Sequence, residues 1–173
     1  MEFVFMETVL TLSLGGLPPL SARGCEQILK PIQLGQMQRT VNGDLFHLGP
    51  QMLKYQSVIR AKDQTVLACN GLFPGSIVDV GCIQPLWEKM EKAQRNHVLM
   101  RKAIEESIIV IDEEQTKIPF THENGKITLK EFNKCLDIFV CYRPTLKMRV
   151  TDFLIKMNEW TFENQWELVL EEI

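Results

Sequence analysis

The segment FTHENGKITLKEF (120–132) comes nearest to a chemical motif. Gly125 followed by Ile127 and Glu131 copies the second half of an EF-hand loop, where glycine makes the sharp turn and glutamate closes on calcium. Counting back from Gly125 places Phe120 at the first ligand position and His122 at the third, where a hard cation needs oxygen. Only Asn124, Glu131 and a backbone carbonyl remain as ligands, so the segment is read as an Asn-Gly turn in a surface hairpin. Cys25, Cys69, Cys82, Cys135 and Cys141 form an odd set without a C-x-x-C pair, and no zinc spacing is present. They read as thiols buried in a protein made in a reducing compartment.

His47, His97 and His122 are far apart in sequence, and none lies in a nucleophile motif. A hydrolase would have to assemble a Cys–His site in space. The adjacent acids Glu105-Glu106, Glu113-Glu114 and Glu171-Glu172 would point in different directions on a strand or helix. They are poor general acid/base pairs and read as solvated edge charge. Gly15-Gly16 beside Pro18-Pro19 is no phosphate cradle. Trp87, Trp160 and Trp166 read as core or interface anchors. No catalytic, cofactor or metal residue is assigned, and no enzyme activity is expected.

The elements that would position these side chains are mostly strands. A chain of 173 residues with 45% apolar and 24% charged side chains suits one globular domain whose core needs neither metal nor disulfide. Its net charge of −3, with acids interrupting every basic cluster, gives no stripe for nucleic acid. The apolar start MEFVFMETVLTLSL carries Glu2 and Glu7 and no base, unlike a secretory signal, and no run has the length of a membrane span. Synthesis in a cytoplasm is expected.

Residues 3–14 alternate partly and break at Gly15-Gly16, which predicts a strand and turn. QRTV-NG-DLFHL predicts a type I′ hairpin at Asn42-Gly43, because both central residues of that turn take positive φ. KYQSVIRAKD alternates Tyr55, Ser57, Ile59 and Ala61 against Gln56, Val58, Arg60 and Lys62. SIVDVGCI follows the Pro74-Gly75 turn, and these pieces read as an antiparallel meander. WEKMEKAQRNHVLMRKAIEE (87–106) is rich in helix formers, with Trp87, Met90, His97, Met100 and Ile104 roughly on one stripe, interrupted by Gln94 and Arg101. SIIVID reads as a short buried strand, and 112–134 as a polar, turn-rich excursion.

At the C-terminus, Leu146, Met148 and Val150 face one way, and Trp166, Leu168 and Leu170 share a face. Antiparallel pairing of the two runs would oppose basic and acidic side chains, with 158–164 as the connection and Trp160 anchoring it.

Three segments carry a resemblance when taken together: QRTVNGDLFHLG running into KYQSVIRAKD, then NGLFPGSIVDVGC, then YRPTLKMRV continuing to QWELVLEE. Their order resembles a group of small tailed-bacteriophage and prophage proteins with an R-T-V-N-G hairpin, a P-G-x-x-V-x-V strand, a Y-R-P-x-L-x-M-x-V strand and an acidic W-x-L-x-L-E-E end. It covers roughly 20–86 and 139–173, leaving 87–137 as decoration, and its motifs carry no catalytic residues. The resemblance implies a virion part, associated with tail or baseplate, built into rings of copies of itself and neighbouring virion proteins. The apolar residues Met1 to Leu14 would add a strand to a neighbour.

The expected fold is mainly β across 1–173, an antiparallel sandwich or partly closed barrel with one helical or irregular insertion at 87–134. The expected function is structural, without nucleic-acid binding or membrane insertion. A non-virion adaptor or assembly chaperone is the first alternative, and the Cys–His hydrolase the second.

Overall fold

Alternating side chains govern this molecule, because a strand that buries every second residue must find a sheet to join. The computed structural model describes residues 8–32, 35–49 and 53–173. Among them the strands run β1 (Thr11–Leu12), β2 (Glu26–Pro31), β3 (Gln36–Arg39), β4 (Leu45–Leu48), β5 (Tyr55–Asp63), β6 (Ile77–Gly81), β7 (Leu86–Lys89) and β8 (Asn96–Val98). They continue with β9 (Lys102–Ala103), β10 (Ile109–Asp112), β11 (Phe120–Glu123), β12 (Lys126–Leu129), β13 (Ile138–Tyr142), β14 (Pro144–Asn158) and β15 (Glu163–Glu172). The protein is mainly β, with antiparallel sheets, none closed into a barrel.

The principal sheet has the order β1-β6-β14-β15-β5-β2, with β9 also pairing β14. Its inner face carries Ile59, Ala61, Val78, Val80, Leu146, Met148, Val150, Trp166, Leu168 and Leu170, all buried. Loop residues Leu10, Ala22, Leu67 and Leu72 complete this core. Polar ties hold the loops down. The indole Nε1 of Trp166 donates to the Ser21 carbonyl at 2.7 Å in the interior. Asp63, buried at the end of β5, accepts from Nε and Nη2 of Arg23 and from its backbone N–H.

The C-terminal strands pair as their alternation predicts, with Arg149 opposite Glu171 and Val150 opposite Leu170. A bulge between Val150 and Asp152 then changes which residues face inward. Before it the inward residues are Leu146, Met148 and Val150; after it Phe153 lies opposite Leu168 and Ile155 opposite Trp166. Without the extra residue, Asp152 would be turned toward the core.

A second core lies between two small sheets, β10-β13-β7 and β11-β12-β8. Val110, Ile127, Leu129, Val140 and Tyr142 meet there, together with Met90, Ile118 and Ile138. This corrects the expected helical or irregular insertion at 87–134: the region forms strands that build a small sandwich together with β13. Its single helical turn among the described residues is a 3₁₀ turn at Glu105–Ser107. Helix propensity is a weak preference that tertiary pairing overrides. Here Trp87 pairs with Cys141, His97 pairs with Ile127, and Ala93 takes φ +61° at the bend between the two strands. The expected polar excursion at 112–134 in fact supplies Ile127 and Leu129, both fully buried.

Other expectations also change. β5 and β6 are not meander neighbours, because β14 and β15 lie between them. The NG hairpin forms as β3–β4, but its turn spans Thr40–Gly43: the Gly43 N–H donates to Thr40 O, Gly43 takes φ +90°, and Asn42 keeps a negative φ. The type I′ pair appears instead at Asn124 (φ +49°) and Gly125 (φ +77°), between Glu123 and Lys126. Of the N-terminal segment, residues 1–7 lie outside the described residues. Thr11 and Leu12 pair with β6 of the same chain, and Leu10 enters its core, so this part is engaged internally.

Candidate functional site

Among the described residues the structure gathers a buried polar cluster around Glu88 and leaves apolar side chains open on two hairpins. The cluster sits where the two cores meet. β7 alternates so that Glu88 turns inward, 8% exposed, while Trp87 and Lys89 turn out. Isolated, a buried carboxylate would be costly. Glu88 is instead surrounded by donors: the Tyr142 hydroxyl and the Met100 N–H (3.1 Å) reach Oε1, and His97 Nε2 lies 2.6 Å from Oε2. Burial, with the Glu88 contact next, pushes the Tyr142 phenol well above its usual range, keeping it a hydrogen-bond donor.

Arg101 links this cluster to the principal sheet. Its N–H donates to the Tyr142 oxygen, and its guanidinium grips Glu172 through Nε at 2.6 Å and Nη2 at 3.1 Å. It also donates to the Leu53 carbonyl and sits 5.8 Å from the Tyr55 ring centre. Burial opposes the charge on Arg101, but Glu172 outweighs it and the pKa rises. A cavity of about 280 Å³ opens here, lined by Leu53, Tyr55, Trp87, Glu88, His97 and Arg101 among others. The arrangement ties Glu88 to His97 by a hydrogen bond and clamps the small sandwich to the main sheet. Among the described residues no serine, threonine or cysteine lines the cavity.

The residues singled out from sequence fall as follows. His97 joins the cluster, whereas His47 lies on the exposed β4 and His122 on β11. The described cysteines are unpaired: Cys82 and Cys141 are buried, Cys25 is half-buried, and Cys69 and Cys135 are exposed. The expectation of buried thiols thus holds for two of the five and fails for Cys69 and Cys135. Burial pushes the Cys82 thiol up to about 11 and raises those of Cys25 and Cys141. Phe120 and His122 are taken up by β11, and the EF-hand-like segment folds as the Asn-Gly hairpin. Among the described residues no three His, Cys, Asp or Glu side chains gather to hold a metal. Glu172 corrects the expectation of solvated edge charge, because Arg101 and the Tyr55 N–H hold it. Sequence reasoning missed Glu88, Arg101 and Tyr142, whose roles appear only once β7 is known to be a strand paired with β13.

The first open surface is the β3–β4 ribbon. It pairs with no other strand among the described residues. Met37, Val41, Leu45 and Leu48 are all exposed on it. A lone two-stranded hairpin is marginal in water, so this ribbon gains much from a partner surface. The second open surface is the far end of the β14–β15 hairpin, where Leu154, Ile155, Met157 and Phe162 are exposed. Trp160, expected to anchor the connection, is 93% exposed. Among the described residues no helix is long and apolar enough to cross a membrane. Neither protein-family models nor curated protein sequences give a match to this chain.

Proposed function

We propose that this chain is a structural subunit of a tailed-bacteriophage particle, at the tail or baseplate, assembling with copies of itself and with other virion proteins. The observation that carries the reading is the unpartnered β3–β4 ribbon with its exposed Met37, Val41, Leu45 and Leu48. Apolar side chains left open on a lone hairpin, with Met37 and Leu45 on one face and Leu48 on the other, favour a partner that covers it. The buried Glu88–Tyr142–Arg101 cluster fits the same reading as a rigid clamp, since its polar groups are satisfied internally. The context of phage tails rests on the order of the three sequence segments described above.

Mass spectrometry of purified tail-bearing particles tests this. A fixed ratio to the major tube protein supports a virion part, and a low ratio supports a terminal ring or baseplate position. Clean absence from particles, with the chain present in the lysate, would overturn the reading and favour an adaptor or assembly chaperone.

A further inference from the structure

The main sheet ends abruptly on one side of its longest strand. β6 pairs with β14 over Thr145 to Arg149, and the last bonds on that side join Val150 to Gly75 and Ser76. β14 nevertheless continues as a strand to Asn158, paired on its other side with β15 as far as Asn158 opposite Glu163. From Asp152 to Asn158 its outer edge is therefore unpaired among the described residues. Proteins usually blunt such an edge with proline, a short strand or repeated charge. This one reads DFLIKMN, without proline or glycine, and exposes Leu154, Ile155 and Met157.

We infer that this edge of β14 pairs antiparallel with the same edge of a second copy of the chain, about a two-fold axis at Leu154. The inference deepens the assembly reading above and rests on it for the expectation that copies meet. Directly opposite residues of an antiparallel pair turn their backbone groups the same way, so a two-fold pair must set one residue opposite itself. Few centres are then available. Centring on Asp152 or Lys156 opposes like charges. Centring on Phe153 sets Asp152 against leucine and runs Lys156 into Val150, which β6 and its preceding turn already hold, whereas centring on Leu154 meets that limit only at the terminal Asn158. Centring on Ile155 sets Lys156 against leucine and Asp152 against asparagine.

Centring on Leu154 sets Asp152 opposite Lys156 of the partner subunit, and Lys156 opposite the partner's Asp152. It also sets Phe153 against the partner's Ile155 and the two Leu154 side chains against each other. Neither Asp152 nor Lys156 takes part in an ion pair within the chain among the described residues. Both charges are thus available for the cross-strand pairs that fix register. The product is one continuous sheet through two molecules.

Sedimentation equilibrium of the full chain tests the pairing through charge reversal. Asp152→Lys alone, or Lys156→Asp alone, opposes like charges twice and is expected to weaken the dimer about tenfold or more. The double variant Asp152→Lys/Lys156→Asp restores opposite pairs and is expected to dimerise as the wild type does. Both positions are exposed, and unchanged circular dichroism and thermal midpoints confirm that each variant folds. A wild-type chain that stays monomeric overturns the pairing, as do single variants that dimerise normally or a double variant that stays weak. Particle composition separates the two readings. A monomeric chain found in particles removes this interface and leaves the virion reading intact. A charge-dependent dimer absent from particles upholds the interface and removes the virion reading.

Discussion

The two ends of the β14–β15 hairpin share one chemistry and have opposite environments. At its base, Val150, Leu168 and Leu170 alternate into the principal core and β6 closes the outer edge. Past the bulge, Ile155, Met157 and Phe162 are just as apolar, yet they stand exposed beside an unpaired edge. Apolar alternation therefore specifies a strand without specifying what covers it. At the base the cover comes from loops of the same chain. At the far end nothing among the described residues supplies it, and this is the half of the hairpin that the proposed pairing would use.

The largest effect that would sharpen the contrast lies at the base. Trp166→Ala removes a side chain that is 1% exposed and leaves the Ser21 carbonyl without its indole donor. Cavity and lost hydrogen bond together are expected to cost about 3–5 kcal/mol, read as a fall in the urea midpoint. A loss below ~1 kcal/mol would mean that the base is packed no better than the far end.

An intermediate effect concerns the Arg23–Asp63 tie beside the hairpin. Arg23's hydrogen bonds, outweighing burial, bring the Asp63 carboxyl from 3.8 down to about 2. A carboxyl depressed in the folded state stabilises above its unfolded pKa, and that stability is lost as pH falls through the folded value. Asp63→Asn is therefore expected to lower stability, since charge-assisted hydrogen bonds are worth about 1.5–3 kcal/mol. The gap to wild type should hold from neutrality to about pH 4 and narrow between about 4 and 2. Parallel stability curves throughout that range would show that Asp63 is not what holds Arg23 and its loop to the sheet.

Much of this was readable from period-two alternation alone. Leu146–Val150 and Trp166–Leu170 each bury the predicted face, Tyr55–Asp63 forms the predicted alternating strand, and Arg149 does meet Glu171. What alternation could not supply was long-range order. Nothing local to Ile77–Gly81 tells it to pair with β14 and not β5. Residues 87–106 were misread because lysine, glutamate and methionine favour a helix in isolation, while pairing with β12 and β13 draws the chain into strands. Glu88 became invisible for the same reason: its inward aim exists only in a strand, and its donors come from Tyr142, Met100 and His97. The three Asn-Gly pairs, at 42–43, 70–71 and 124–125, show a similar limit, since only Asn124-Gly125 takes positive φ at both residues.

The smallest stability effect is expected at Trp160. Tryptophan is the largest side chain in the protein, and at Trp166 its removal should be severe. At Trp160 it is 93% exposed and its indole is used by none of the hydrogen bonds described for the chain, only its backbone N–H being held by Asn158. Substitutions at such positions move stability by no more than about 0.5 kcal/mol, so Trp160→Ala should leave the urea midpoint of the isolated chain almost unchanged. Exposed tryptophan is also the residue type whose truncation most weakens protein interfaces. On the proposed virion reading the same variant should enter particles less well than wild type while unfolding at the same denaturant concentration. A stability loss near that of Trp166→Ala would put Trp160 inside the chain's own packing and erase the difference between the two ends. Normal stability with normal incorporation would keep the difference and move the proposed partner contacts from the turn to the β14 edge.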